Sequence, residues 1–195
     1  MAISWLVIGL IALVLVYVLG IYNSLQTIKT RIKASIQEIG NQLKRQASLI
    51  PNLEESAKGY LKHEKEIYKS LTDARKAVQA AAKSATASTV NKAVESLETL
   101  LPKLTVLVES NPQLKANEVI TKLMDELRDT ADKLMYARRT LIDLAADFNV
   151  KLVTFPSSMV AKLFSFQQEK GLETPTSGEH LAVSAEEMKE PKVDL

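Results

Sequence analysis

The chain has 195 residues, with 25 Lys and Arg against 23 Asp and Glu, two His and no Cys. Without Cys there are no disulfides, no thiol catalysis and no thiolate-held metal, and the near balance of charge lacks the basic excess of a nucleic-acid surface. His63 and His180 stand far apart without ligand spacing, whereas a zinc site needs three or four converging ligands, so no metal and no cofactor is expected.

The stretch Ala2 to Tyr22, AISWLVIGLIALVLVYVLGIY, carries no charged side chain and is apolar on every face. As a helix of about 20 residues it crosses a hydrocarbon core of ~30 Å. Trp5 near one end and Tyr17 and Tyr22 near the other suit the headgroup layers, where amphipathic rings settle. The residues before it include no Lys or Arg, and no small-x-small cleavage site follows, which disfavours a signal peptide. Residues 1–22 therefore read as a transmembrane anchor. Lys29, Arg31 and Lys33 follow the span and no basic side chain precedes it. The positive-inside bias then puts the N-terminus outside and the rest of the chain in the cytoplasm, as a single-pass protein of the cell (inner) membrane.

From Asn23 to Leu61 the apolar residues form coiled-coil-like heptad rows. Ile36, Leu43, Ile50 and Ala57 make one row; Leu25, Ile32, Ile39, Leu53 and Tyr60 make the other, interrupted by Gln46. Pro51 predicts a kink at Ile50-Pro51-Asn52, with a helix break as the alternative, because it removes one backbone hydrogen bond. A second helix is predicted over 64–83, with Ile67, Leu71, Ala74, Val78 and Ala81 on one face. A polar connector follows, with Ser88 as candidate cap of a third helix carrying Val90, Val94, Leu97, Leu101, Leu104 and Val108.

Asn111-Pro112 is a helix start, a capping side chain followed by Pro at the first helical position. The fourth helix runs to about Val153. Ile120, Leu127, Leu134, Leu141 and Phe148 form its large row, and Met124, Ala131, Arg138, Ala145 and Leu152 its smaller one. Phe155-Pro156 stops it. The predicted fold is all-α: an anchor helix continuing into an elongated antiparallel bundle over 23–155, with two long and two short helices. A short apolar helix (156–168) and an acidic tail (169–195) follow. From Glu169 onward seven acidic residues face three Lys, and with no apolar pattern the tail reads as disordered. Two short helices cover only the distal part of two long ones, so the proximal part is expected to be a two-helix stalk with exposed seams, open to self-association or to another helix.

Tyr22-Asn23-x-Leu25, the block QLKRQASLIPNLEESAKGYLKHEKE from Gln42 to Glu66, and NPQLKAN from Asn111 to Asn117 together resemble the LemA family of bacterial membrane proteins. The likeness continues through Ala137-Arg138-Arg139, Phe148-Asn149, Phe155-Pro156 and AKLFSF, ending near Phe166. It implies one N-terminal span, a helical bundle and no established enzyme activity. Some family members take part in forming magnetosome membranes, and others are encoded near membrane-stress proteases. The chain departs from the family pattern at Thr140-Leu141-Ile142, after Ala-Arg-Arg, and at Glu54, where an apolar residue is usual.

Candidate positions follow from these patterns. Arg138 in a seam row reads as a register pin facing Glu38 or Gln37, as a contact to a second subunit, or as a side chain snorkelling to solvent. Gln46, Pro51 and Asn52 are candidate register or partner positions on the first helix. Phe155, Met159, Leu163, Phe164 and Phe166 with Lys162 read either as an interfacial helix on lipid headgroups or as a cap folded onto the bundle's open end. No nucleophile, phosphate loop or converging acid–base pair is present, so no small-molecule substrate is expected. The expected function is a non-catalytic scaffold in membrane organisation or envelope stress, associating through helices with membrane lipid and with a protein partner or a second copy. The alternative is an adaptor recruiting a cytoplasmic or membrane-protease partner.

Overall fold

The computed structural model describes residues 2–61 and 64–172. The two histidines and the tail beyond 172 lie outside the described residues. Within them the protein is all-α, with no strand. Helix α1 (Ala2–Leu61) is continuous over 60 residues, about 90 Å at 1.5 Å per residue. Its apolar window has a mean hydropathy of 2.8 and no part buried. The helix passes through Pro51 without breaking, because packing on both sides holds the flanking turns while one backbone bond is missing. Leu49, Ile50 and Leu53 around it are all buried.

Helix α2 (Lys65–Lys83) and helix α3 (Ala87–Ser110) form a hairpin whose turn is closed by Thr86 rather than by Ser88. The Thr86 hydroxyl accepts from the Thr89 amide, and Thr89 Oγ1 accepts from the Thr86 amide, a reciprocal capping box. Asn111-Pro112 does start a helix, but only the single turn α4 (Pro112–Lys115). The long helix α5 (Glu118–Val153) begins after a second cap, Asn117, whose Oδ1 accepts from the Val119 and Ile120 amides. The NPQLKAN stretch is thus a corner with two Asn caps, pinned by buried Leu114. Helix α6 (Ser157–Leu163) follows the stop at Phe155-Pro156.

α1 and α5 run antiparallel and share the largest interface, while α2 packs on α1 and α3 and the α3–α5 contact is slighter. Lys151 reaching Ser24 and Arg75 reaching Glu54 show the opposed directions. Every residue of the two predicted α5 rows is buried except Arg138, which is half-buried beside buried Ala137. On α1, Ile36 is a correction: it is exposed, and Ser35 takes the inward position. A strict seven-residue repeat drifts by ~20° per heptad on a straight 3.6-residue helix, which moves the buried stripe off a strict row. The expected open stalk is also corrected. Residues 164–172 fold back from α6 along the α1–α5 pair, burying Leu172 and packing Phe166 on the core. The boundary drawn at 169 therefore cuts through a packed segment.

Candidate functional site

The chemistry-bearing features gather where α5 ends, next to the apolar third of α1. Four residues after Lys151 the chain turns at Phe155-Pro156, and α6 lies across that end. Val160 and Ala161 face the bundle and are buried, while Phe155, Met159 and Leu163 point outward and are exposed. The helix ends in a Schellman turn: the Phe166 amide donates to the Ala161 carbonyl and the Ser165 amide to the Lys162 carbonyl. Ser165 occupies the left-handed position at φ 54°, where Gly is the usual residue. This reversal sends Phe166 inward, while Phe155, Met159 and Leu163 stay outside.

The five aromatic and aliphatic candidates are thus divided. Phe155, Met159 and Leu163 are fully outward, and Phe164 is 47 % exposed. Phe166 packs edge-on to buried Phe148 at 6.1 Å and lies 5.8 Å from the Tyr22 ring, which also meets Phe164 at 4.8 Å. Tyr22 therefore joins an intramolecular aromatic cluster rather than standing clear like Trp5 and Tyr17, both of which are exposed. Such tilted and edge-on pairs are worth about 0.5–1.5 kcal/mol each beyond their burial.

The returning segment is held by residues that no local pattern singled out. Asn149 Nδ2 donates to the Glu169 carbonyl at 2.9 Å and its Oδ1 accepts from the Glu169 amide at 3.0 Å. One side-chain amide thus satisfies both backbone groups of one residue, as a neighbouring strand would. Lys29 pairs with Glu169 at 3.7 Å. Gly171 passes so close to α5 that a Cβ there would lie 3.1 Å from Ala145 Cβ, which explains a small residue on each side of that contact.

Away from this end, Gln46 is fully buried, and neither of its terminal amide atoms has a hydrogen-bond partner among the described residues. Gln42, one turn away, donates to Glu38 at 2.6 Å and leaves its own Oε1 unpartnered. Pro51 adds a missing donor one turn further on. Asn52 is exposed. Arg138 does not meet Glu38 or Gln37: its Nε donates to Asn91 Oδ1 on α3 at 2.9 Å. The departure at Glu54 has a local reason, an ion pair with Arg75 on α2 at 3.0 Å, and Leu141 of the other departure is buried.

Among the described residues no three His, Asp or Glu side chains converge in a metal-holding group. A stiff apolar rod is joined to a closed bundle, and an apolar face is turned out at their junction. A family model described as the LemA family matches residues 35–189, most of the chain. No curated protein matches it.

Proposed function

The chain belongs to the LemA family, and we propose that it is a non-catalytic, single-pass membrane protein whose bundle serves as a scaffold in membrane organisation or envelope stress. The observation that carries this reading is the unbroken α1. The apolar stretch runs to Tyr22, and Leu25 just beyond it is already fully buried in the bundle. No linker separates the two, so the bundle's position follows the span's. No small-x-small cleavage site follows the apolar stretch, which favours an anchor over a signal sequence. Phe155, Met159 and Leu163 then sit where the bundle meets the bilayer, as an interfacial face does. The basic residues after the span favour a cytoplasmic bundle.

The scaffold's protein contacts, to a second copy or to a partner, fall to the remaining surface. A specific observation favours the adaptor alternative. At the distal end Tyr68, Val106 and Val119 are exposed, and an open depression of about 580 Å³ between α2 and α3 is lined by Ile67, Pro102 and Val106 with Glu64, Lys65, Glu66 and Lys103. Reconstitution of the full chain in vesicles tests the two readings. Resistance to alkaline extraction together with crosslinked assemblies or altered vesicle shape is the scaffold outcome. Unchanged vesicles holding monomers that retain one partner in fixed stoichiometry would replace it with the adaptor. Orientation is read with Ser177→Cys and an impermeant maleimide: protection in intact cells (outer membrane permeabilised where there is one) and labelling after lysis is expected, and labelling before lysis would reverse it.

A further inference from the structure

A groove of about 490 Å³ runs between the end of the apolar stretch of α1 and the α5–α6 turn. Its two ends differ in chemistry. One wall is Val16, Tyr17 and Gly20 on the apolar stretch; the other end holds Ser24, Lys151 and Ser157. Lys151 Nζ donates to Ser24 Oγ at 2.7 Å, and it enters no ion pair among the described residues. An ammonium has three donors, so two remain for an incoming acceptor. Ser157 uses its hydroxyl on the Lys151 and Thr154 carbonyls, which fixes the turn that forms the groove's far wall. Gly20 leaves the middle open: a Cβ built there meets nothing within 4 Å.

We propose that this groove binds one anionic phospholipid of the leaflet facing the bundle, its phosphate on Lys151 and Ser24 and the upper part of an acyl chain along Val16 and Gly20. Two observations select a lipid. The apolar wall is continuous with the wholly exposed face of the span, so a chain enters sideways from the bilayer without crossing water. The cation lies at the other end, one helical turn past Gly20, about 6 Å along the axis, where the headgroup of such a chain would be. An acidic headgroup is preferred over a zwitterionic one because Lys151 is neutralised by no carboxylate among the described residues. The site rests on the membrane-anchor reading above.

The test is native mass spectrometry of the detergent-extracted full chain, titrated with phosphatidylglycerol or phosphatidylcholine, beside alkaline extraction of the same protein from membranes. The expected result is one retained phosphatidylglycerol and weaker retention of phosphatidylcholine. Lys151→Gln should lower phosphatidylglycerol retention about fivefold, the usual effect of one basic residue at an anionic surface. Gly20→Leu should abolish retention by filling the groove, with the circular-dichroism melt unchanged or raised, since Leu favours helix over Gly. Equal retention of the two lipids, or retention unchanged in both variants, overturns the site and leaves the anchor standing. Release of the protein by alkali overturns the anchor and the site together.

Discussion

Over α1 residues 42–61 four helices enclose the core, and large side chains such as Leu43, Leu53, Leu71, Leu97 and Leu127 are shut off from water on all sides. Nearer the apolar stretch, from Leu25 to Ile39, only α1 and α5 remain as long helices, and the third layer is an extended segment that returns from α6. A helix pair alone cannot bury a stripe as wide as these helices carry. The distal half completes burial with a hairpin of regular helices, the proximal half with nine residues held by a side-chain amide. The first closure is built from many interchangeable apolar contacts; the second depends on Asn149, Phe148 and Phe166. Damage should therefore spread widely when it strikes the distal core and stay local when it strikes the returning segment.

The largest expected effect tests that dependence. Phe148→Ala removes the ring on which Phe166 rests, at a cost of about 3–5 kcal/mol. Thermal unfolding in detergent should then show a lower midpoint, and hydrogen exchange should rise first in residues 22–39 and 141–153. A uniform rise across α2 and α3 would mean that the two halves are one cooperative unit. Gln46→Leu acts in the distal half with the opposite sign. Replacing a buried amide without partners should raise stability by about 1–3 kcal/mol, read from the same melt. Loss of stability or of assembly would instead make Gln46 a register determinant.

Asn149→Ala sharpens the comparison most directly. Losing both bonds to Glu169 should cost about 1–3 kcal/mol, with protease cleavage appearing in 166–172 while the exchange protection of α2 and α3 stays as in the parent. A resistant segment would show that Leu172 and Phe166 hold it without the amide. The smallest effect belongs to Arg138→Leu. It trades one half-exposed hydrogen bond to Asn91 for apolar cover, so stability should change by less than about 1 kcal/mol. A drop of several kcal/mol would mark Arg138 as the pin between α3 and α5.

Much of this was legible in the residues themselves. The uncharged run from Ala2 to Tyr22, the heptad rows of α1 and α5, the Asn111-Pro112 start and the Phe155-Pro156 stop all act within a few residues. They set helix, cap and break through backbone geometry and 3.6-residue periodicity. Periodicity also marked Gln46 and Arg138 as exceptions in apolar rows. It could not supply their surroundings: the partner of Arg138 came from α3, 47 residues away. Nor could it decide which way α6 faces, because amphipathicity is the same whether the apolar side meets lipid or protein.

Which of these side chains turn into the bundle was decided by the tertiary fold. The Schellman turn at Ser165 aims Phe166 at Phe148 and leaves Phe155, Met159 and Leu163 outside. The bond between Asn149 and Glu169 spans 20 residues, and that between Lys151 and Ser24 spans 127. Neither has a local signature, since a lone Asn or Lys on a helix face is as well placed in water as against a distant backbone. The sequence by itself determined most of the helices, their order and most of their apolar faces, because those depend on neighbours along the chain. Only the tertiary structure decided how the proximal seam is closed and where a cation meets the apolar stretch, because both depend on which distant segments pack together.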